Sequence, residues 1–367
     1  MKILWLTWKD RSHPLSGGAE AVSGEIMDRL VRDGHKVKMI TAKYEKSKDH
    51  ETINGLEIFR VGGRYSVYLK AKKLYKEKLN GWADVVIDEM NTIPFGSGFY
   101  NKSKNILLCY QLAREVWFHQ MIFPLSFIGY SLEPIMLRVI SKKYPTVLTE
   151  SNSTKLDMNK YGFKNVNTFR VGMELKPLPR LGKKTRSNVI LCFGSIRPMK
   201  RTLHAIKAFE IARDNNPNLK IIIAGSNQGL YARKVTKYVS KSRHSNSIDI
   251  LGKVSPKKKL DLMRQADIIL VTSIKEGWGL IITESNSQGT PAIAYDVDGL
   301  RDSVQDKITG LLIPNSSFQA MGNGIIDLLS NDTVYESLRH EAWQYSKNFT
   351  FENSYYDFVQ IINNIAK

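Results

Sequence analysis

Cysteine is nearly missing from this 367-residue chain, which has only Cys109 and Cys192, each inside an apolar run. A disulfide framework is thereby excluded, and a reducing cytosol fits. No run of about eighteen apolar residues occurs, so no segment reads as a membrane-spanning helix. The apolar run Ile3-Leu4-Trp5-Leu6 is too short for a secretory signal and reads as a first β-strand. A basic tail, a zinc-ligand cluster and an RNA-binding aromatic motif are also lacking. Positive charge, by contrast, is plentiful. Lys and Arg number 54 against 35 Asp and Glu, a net charge of +19 shared by both halves of the chain. That balance suits polyanions: nucleotide diphosphates, anionic membrane surfaces or nucleic acid.

The chain is too long for one ordinary core and fits two domains. In the first half, apolar runs predict strands at Lys2–Thr7, Lys36–Thr41, Asp84–Asp88, Asn105–Cys109, Thr146–Thr149 and Val166–Arg170. Helices are expected near Gly18–Arg32, Val67–Leu79 and Ser153–Tyr161. The second half repeats the rhythm, with strands at Val189–Phe193, Leu219–Ala224, Ile248–Leu251, Ile268–Thr272 and Ala292–Tyr295. Its helices begin near Arg201, Gln228, Pro256 and Leu280. Short apolar strands separated by helices predict parallel sheets covered on both faces, an α/β class of two doubly wound, Rossmann-like domains. Residues Leu175–Ser187 hold two prolines, a glycine and a charge run, and read as a linker. The expected plan is a domain over 1–174, a linker over 175–187, a second domain over 188–347 and a closing segment over 348–367. Glu352–Ile365 in that last segment has the pattern of an amphipathic helix.

One segment carries the most chemistry. After the strand Ile268–Thr272 comes Glu276-Gly277-Trp278-Gly279-Leu280, then a helix to Gln288, then Gly289-Thr290-Pro291. Gly277 and Gly279 open a tight loop, and Glu276 and Glu284 bracket a glycine-lined helix N-terminus. Backbone N–H groups and the helix dipole favour an anion there. Carboxylates beside an anion site suit sugar or ribose hydroxyls, which a carboxylate can bond in pairs. The bland alternative makes Glu276 a loop charge and Glu284 a solvated helix face. The surrounding glycines and the strand–loop–helix context favour the functional reading.

This segment resembles the Glu-x7-Glu motif of retaining GT-B glycosyltransferases, group 1 or family four, with Gly-aromatic-Gly after the first Glu and Gly-x-Pro after the second. The resemblance implies two Rossmann-like domains facing across a cleft, the last helix crossing back to the N-terminal domain. It implies transfer of a hexosyl group from a UDP- or GDP-sugar, with retention, to a hydroxyl of a glycan or lipid-linked glycan acceptor. Glu276 would hold the sugar and Glu284 the ribose. Gly194-Ser195-Ile196-Arg197-Pro198-Met199-Lys200-Arg201 stands where the family has Gly-Arg-x4-Lys-Gly, whose cations hold the diphosphate. Lys200 falls on the family Lys, Ser195 on the usual Arg, and Arg201 on the usual Gly. Arg197 either supplies the missing cation or is a solvated loop charge. Gly17 and Gly18 match the family's first loop, or simply cap a helix. Gly225 matches a phosphate-side glycine turn, and Lys253-Val254 the segment along the nucleobase. Trp278, Gly279 and Leu280 complete the donor set.

Departures from the pattern matter too. Tyr110-Gln111 follows the strand Asn105–Cys109 where many family members carry a His at the sugar. His13, before the glycine pair, is another acceptor-side candidate, whereas His119 beside Trp117 and Phe118 reads as structural. Asp296-Val297-Asp298 spells the Asp-x-Asp of metal-dependent transferases but sits in an expected polar turn, so no metal and no other cofactor is expected. Three other readings compete. A nucleic-acid-binding protein would explain the charge but leave the two-Glu motif idle. A dinucleotide oxidoreductase would need a glycine fingerprint that Gly17-Gly18 does not fulfil. A phosphorylase or sugar-nucleotide epimerase could share this scaffold.

Two segments could face an acceptor held at the cytosolic face of a membrane. Arg64–Leu79 mixes cations with an aromatic and aliphatic stripe, like an interfacial basic helix, or is a surface helix with its apolar side on the core. Trp117–Ile128 is rich in aromatic and aliphatic residues, and reads either as acceptor-facing or as core.

Overall fold

The computed structural model describes residues 1–366, the side chains of Gln120 and Ala366 excepted. It divides into two compact units, one made of Met1–Gly172 with the segment from Thr350 onward, the other of Met173–Phe349.

The first unit is built on β1 (Lys2–Leu6), β2 (Lys36–Thr41), β3 (His50–Ile53), β4 (Leu56–Arg60), β5 (Val85–Met90), β6 (Lys104–Cys109), β7 (Thr146–Thr149) and β8 (Val166–Thr168). They form an eight-stranded sheet in the order β3-β4-β2-β1-β5-β6-β7-β8. All its pairings are parallel but one, the β3–β4 hairpin. Sequence patterning does not reveal that hairpin, because β3 is largely exposed and polar. Its turn, Asn54-Gly55, has positive φ at both residues, 51° and 86°, which suits a two-residue hairpin. The strands β1, β5, β6 and β7 are almost wholly buried, as sheets covered on both faces require.

Helix Val67–Leu74 and its continuation Tyr75–Leu79 turn Val67, Ala71, Tyr75 and Leu79 onto the sheet and its lysines outward. The basic segment 64–79 is thus a surface helix with its apolar side on the core. Helix Leu125–Ile140 has no counterpart in the expected elements, since Pro134 lies inside it. Proline cannot bond the carbonyl four residues back. Here Arg114 Nη1 donates to that carbonyl, Tyr130 O, at 3.2 Å. The closing helix, Phe351–Ala366, packs on this unit: Phe358 stacks on Trp5 at 5.7 Å, and Asp357 bridges Arg170 at 2.6 Å.

The second unit is built on β9 (Val189–Phe193), β10 (Lys220–Ala224), β11 (Ile248–Gly252), β12 (Ile268–Val271), β13 (Ala292–Tyr295) and β14 (Gly310–Ile313). Its six strands run in the order β11-β10-β9-β12-β13-β14, all parallel. One large apolar core spans both faces of this sheet. Only β14, a short edge strand opening on glycine, escapes the sequence pattern. The segment expected as a linker, 175–187, belongs to this unit and is bonded along it. Leu178 N–H donates to Ser287 O at 2.9 Å, Lys184 Nζ to Thr290 Oγ1 at 2.6 Å, and Arg339 Nη2 to Gly182 O at 2.7 Å. The units instead meet in sequence at 172/173 and 349/350. Neither Cys109 nor Cys192 is in a disulfide, and they lie in β6 and β9.

Candidate functional site

The carboxyl ends of β9, β10 and β11 lie side by side; glycines follow β9 and β10, and β11 ends on one, Gly252. Gly194 N–H donates to Ala224 O, and Gly225 N–H to Gly252 O, both at 2.8 Å. Gly225 has φ +139°, and a Cβ there would fall 2.1 Å from Gly194 O. Only glycine lets these turns close-pack, and the edge they make is bare backbone. After Gly194 the chain passes Ser195 and Arg197, both exposed, into the short turn Pro198–Lys200. Arg201 follows in the left-handed conformation, φ 46° and ψ 43°. That explains why the resembled motif has glycine at this position, since a side chain there costs roughly 1–2 kcal/mol. Arg201 Nη1 reaches Asn315 Oδ1 at 2.6 Å and Ser316 Oγ at 2.9 Å.

Lys200 turns the other way and donates its ammonium to Glu276 Oε1, which also accepts the Ser273 hydroxyl. Burial pushes the Glu276 carboxyl up, but the Lys200 charge and hydrogen bond, the Ser273 bond and the Arg197 charge outweigh it and hold it below its usual value. Glu276 is therefore an ionised acid. Its backbone is pinned as well: its N–H donates to Asp298 O at 3.1 Å, and Gly299, at φ +80°, comes so close that a Cβ would fall 2.2 Å from Glu276 O.

Helix Leu280–Ser287 opens at Gly279, φ 93°, and carries Glu284 on its buried side. Lys259, from helix Pro256–Gln265, bonds both carboxylate oxygens of Glu284 at 2.7 Å. Burial, aided by the Glu174 charge, raises Glu284 above its usual value against the pull of Lys259. Each acid of the motif therefore has its own lysine. Among the donor-side candidates the structure joins Lys200 to Glu276 and brings the Arg197 charge to bear on it. Gly277 in the loop and Leu280 at the helix start are half-buried, Lys253 is exposed and Val254 packs against the core. Trp278 departs from the expectation for its side chain. Its indole N–H is spent on Thr283 Oγ1 at 2.8 Å and its ring packs on Phe349 at 5.0 Å, so it stabilises the loop from behind. Asp296 and Asp298 are paired with Arg301 at 2.8 and 2.9 Å, and Asp298 also with Lys275 at 2.9 Å.

The first unit has its own polar edge at the carboxyl ends of β1, β5, β6 and β7. Gly17 N–H donates to Glu20 Oε2 at 2.6 Å, and Lys9 Nζ bridges Glu20 Oε1 at 2.9 Å. The exposed pair Gly17-Gly18 thus opens helix Gly18–Arg32 as a capped turn. His13 packs against Trp8 and Tyr44, and its Nδ1 accepts the Leu15 N–H at 3.0 Å. Burial and then the Lys9 charge lower its pKa, so it pins the loop as a neutral ring. The Tyr110 hydroxyl meets Ser23 Oγ at 2.5 Å and donates to Ala19 O at 3.4 Å. Burial, with the charges of Glu89 and Glu150, keeps that phenol un-ionised. Gln111 beside it is half-buried.

Sequence patterning misses the acids behind Tyr110. Glu89 accepts Trp5 Nε1–H and the Ser23 hydroxyl, both at 2.8 Å. Burial pushes Glu89 up to about 7, and burial with the Glu89 charge pushes Glu150 to about 8. Glu150 Oε1 is fully buried with no hydrogen-bond partner. An acid inside the apolar run of β5 was the available signal for Glu89. Lys259 gave none, being one of three successive lysines.

Comparison with known proteins follows the same division. Residues 177–349 match the family of glycosyl transferases group 1. The D-inositol 3-phosphate glycosyltransferase of Rhodococcus jostii is 26% identical over 195 residues, 52% of this chain and 43% of that protein. The matched stretch thus spans less than half the length of that curated relative. Among solved structures, sucrose-phosphate synthase from Thermosynechococcus elongatus superposes over 99% of this chain and 98% of its own, with TM-score 0.79 and 17% identity. Anabaena HepE in complex with UDP-glucose covers 99% of this chain and 100% of its own, with TM-score 0.72 and 16% identity. The chain has the two-domain α/β fold of GT-B glycosyltransferases, and its residues 177–349 match the group 1 glycosyltransferase family.

Proposed function

We propose that the protein is a retaining, metal-independent glycosyltransferase. It moves a hexosyl group from a UDP- or GDP-sugar to a hydroxyl of a glycan or lipid-linked glycan, working in the cytoplasm at a membrane face. The observation that carries this reading is the bonded pair of Lys200 and Glu276 at the strand ends of a group 1 domain. Lys200, with Arg197 beside it, neutralises the charge that grows on a departing diphosphate, and the N-terminus of helix Leu280–Ser287 adds its dipole. Glu276, kept ionised, accepts hydroxyls of the transferred sugar, and Glu284 those of the ribose. The bare backbone at Gly194 and Gly225 admits phosphates, while Lys253-Val254 borders the base. Departure of the diphosphate and attack of the acceptor hydroxyl on one sugar face needs orientation more than a strong base, the leaving phosphate taking the proton. The pairing of Asp296 and Asp298 with protein cations supports a reaction without a metal at those acids. The HepE complex with UDP-glucose supports a uridine donor.

A thermal-shift panel of UDP, GDP and ADP and their sugars tests the donor. Release of nucleotide from the best binder, measured with chelator present, tests the chemistry. Retention is read from the anomeric configuration of the product. A strict divalent-metal requirement, or an inverted product, would overturn the assignment.

A further inference from the structure

We infer that helix Leu125–Ile140, with the Phe118–Phe123 segment before it, is an insertion face that seats the N-terminal unit on an anionic lipid bilayer. Among the described residues 21 large apolar side chains are exposed, and nine of them fall within residues 118–139. Along the helix Leu125, Ile128, Leu132, Ile135 and Val139 are spaced by three and four residues, one continuous stripe, and each is between 46% and 57% exposed. The stripe continues onto the preceding loop, where Ile122 is 78% and Phe123 80% exposed.

The inner side of the helix is mixed: Leu137 and Ile140 are buried in the core near its C-terminal end, and the rest is anchored through polar groups. Ser126 and Glu133 are buried there, and the Glu133 carboxylate accepts the N–H groups of Ala113 at 2.9 Å and Arg114 at 2.7 Å, and the Trp117 indole at 3.0 Å. Gly129 lies so close to the Trp117 ring that a Cβ would fall 2.4 Å from it. Those contacts fix the helix's rotation. An apolar stripe of this extent on a helix held by hydrogen bonds is not leftover core.

Charge selects the occupant. Between Trp117 and Lys143 the only acid is Glu133, and it is buried, whereas Arg138, Lys142 and Lys143 are exposed. An apolar stripe with cations at its border and no exposed carboxylate fits an anionic bilayer interface. The chain's net charge of +19 adds long-range attraction. This inference rests on the reading of a membrane-held acceptor, and names the surface that meets the membrane.

The test is flotation of the full chain with vesicles of phosphatidylcholine alone or with one-third phosphatidylglycerol. Wild type should float with the anionic vesicles, and the double variant Ile122→Ser/Phe123→Ser should lose at least tenfold in partition. Leu132→Gln/Ile135→Gln should do the same while keeping the wild-type melting temperature. In Phe123→Trp, brominated lipid should quench the new tryptophan. Wild type left unbound, or both double variants binding normally, overturns the inference. So does sedimentation equilibrium showing a dimer that these substitutions dissolve, which would make a second copy the occupant. Nucleotide release from a UDP- or GDP-sugar without vesicles is scored separately. Vesicle binding without release leaves the docking face standing and removes the transferase reading.

Discussion

The Lys200 ammonium and the Glu276 carboxylate share a hydrogen bond at the carboxyl edge of the second sheet. The cation assigned to the leaving diphosphate and the acid assigned to the sugar are therefore one electrostatic unit. Neither can be altered without changing the other's charge environment. Replacing Lys200 removes the group proposed to meet the charge on the departing diphosphate, and also the largest influence holding Glu276 ionised. Lys200→Ala is expected to lower kcat about 100- to 1,000-fold, the loss typical of one preorganised charge partner. The pH profile of the remaining activity should lose its acid limb to higher pH, as Glu276 becomes easier to protonate. Unchanged kcat in Lys200→Ala would remove this assignment.

Glu284 should act in binding. Its two oxygens are already held by Lys259, so it is a fixed acceptor for hydroxyls, set back from the reacting bond in the proposed mode. Glu284→Ala is expected to weaken UDP or GDP binding about tenfold or more in calorimetric titration, from the loss of hydrogen bonds to a charged group. Lys259→Met should weaken the same binding, because burial without its partner cation favours the protonated carboxyl. A kcat effect with unchanged nucleotide affinity in Glu284→Ala would contradict this role.

The contrast between those two lysines shows what a sequence can disclose. Lys200 stands at a fixed distance after a strand-ending glycine, so its position carries meaning. Lys259 gains its role only from where helix Pro256–Gln265 lands, and its neighbours Lys257 and Lys258 look identical in sequence. The second sheet was legible because five of its strands are short apolar runs bounded by turn residues. Strand β3 was not, since its side chains face solvent and leave no apolar signature. Helix Leu125–Ile140 was hidden twice: Pro134 reads as a break, and the helix carries an apolar stripe outward as well as Leu137 and Ile140 inward, which blurs the one-faced pattern of an ordinary surface helix.

The buried acids of the first unit set a pH dependence whose sign is definite. Glu89 and Glu150 are raised to about 7 and about 8 in the folded protein, above their ordinary value in the unfolded chain. The folded state thus holds protons that the unfolded state has released. Stability from these groups is complete below about pH 4.5 and is lost as pH rises through 7 to 8. Glu150→Gln removes the charge that must otherwise be buried. Its melting temperature should exceed wild type by roughly 3–6 °C at pH 8 and match it near pH 5. A constant difference across that range would show that Glu150 is not protonated in the folded protein.

Arg114 and Pro134 should be coupled through a carbonyl that neither owns. Pro134 leaves Tyr130 O without its helical donor, and Arg114 Nη1 supplies one at 3.2 Å. Its guanidinium also lies 4.2 Å from the centre of the Tyr130 ring. In wild type, Arg114→Ala loses both contacts and leaves a helix carbonyl to find another partner. In a Pro134→Ala background the new N–H can take that carbonyl, so the same change loses the ring contacts, with Tyr130 and at 5.9 Å with Tyr161, and the weaker attraction to Glu133 at 3.7 Å, but no hydrogen bond to the carbonyl. Arg114→Ala should therefore cost about 1 kcal/mol less in the Pro134→Ala background than in wild type, the worth of one hydrogen bond. Chemical denaturation of the four proteins measures the coupling. Additivity within error would mean that Arg114 acts through the rings of Tyr130 and Tyr161 and through Glu133, and that the carbonyl is satisfied by other means.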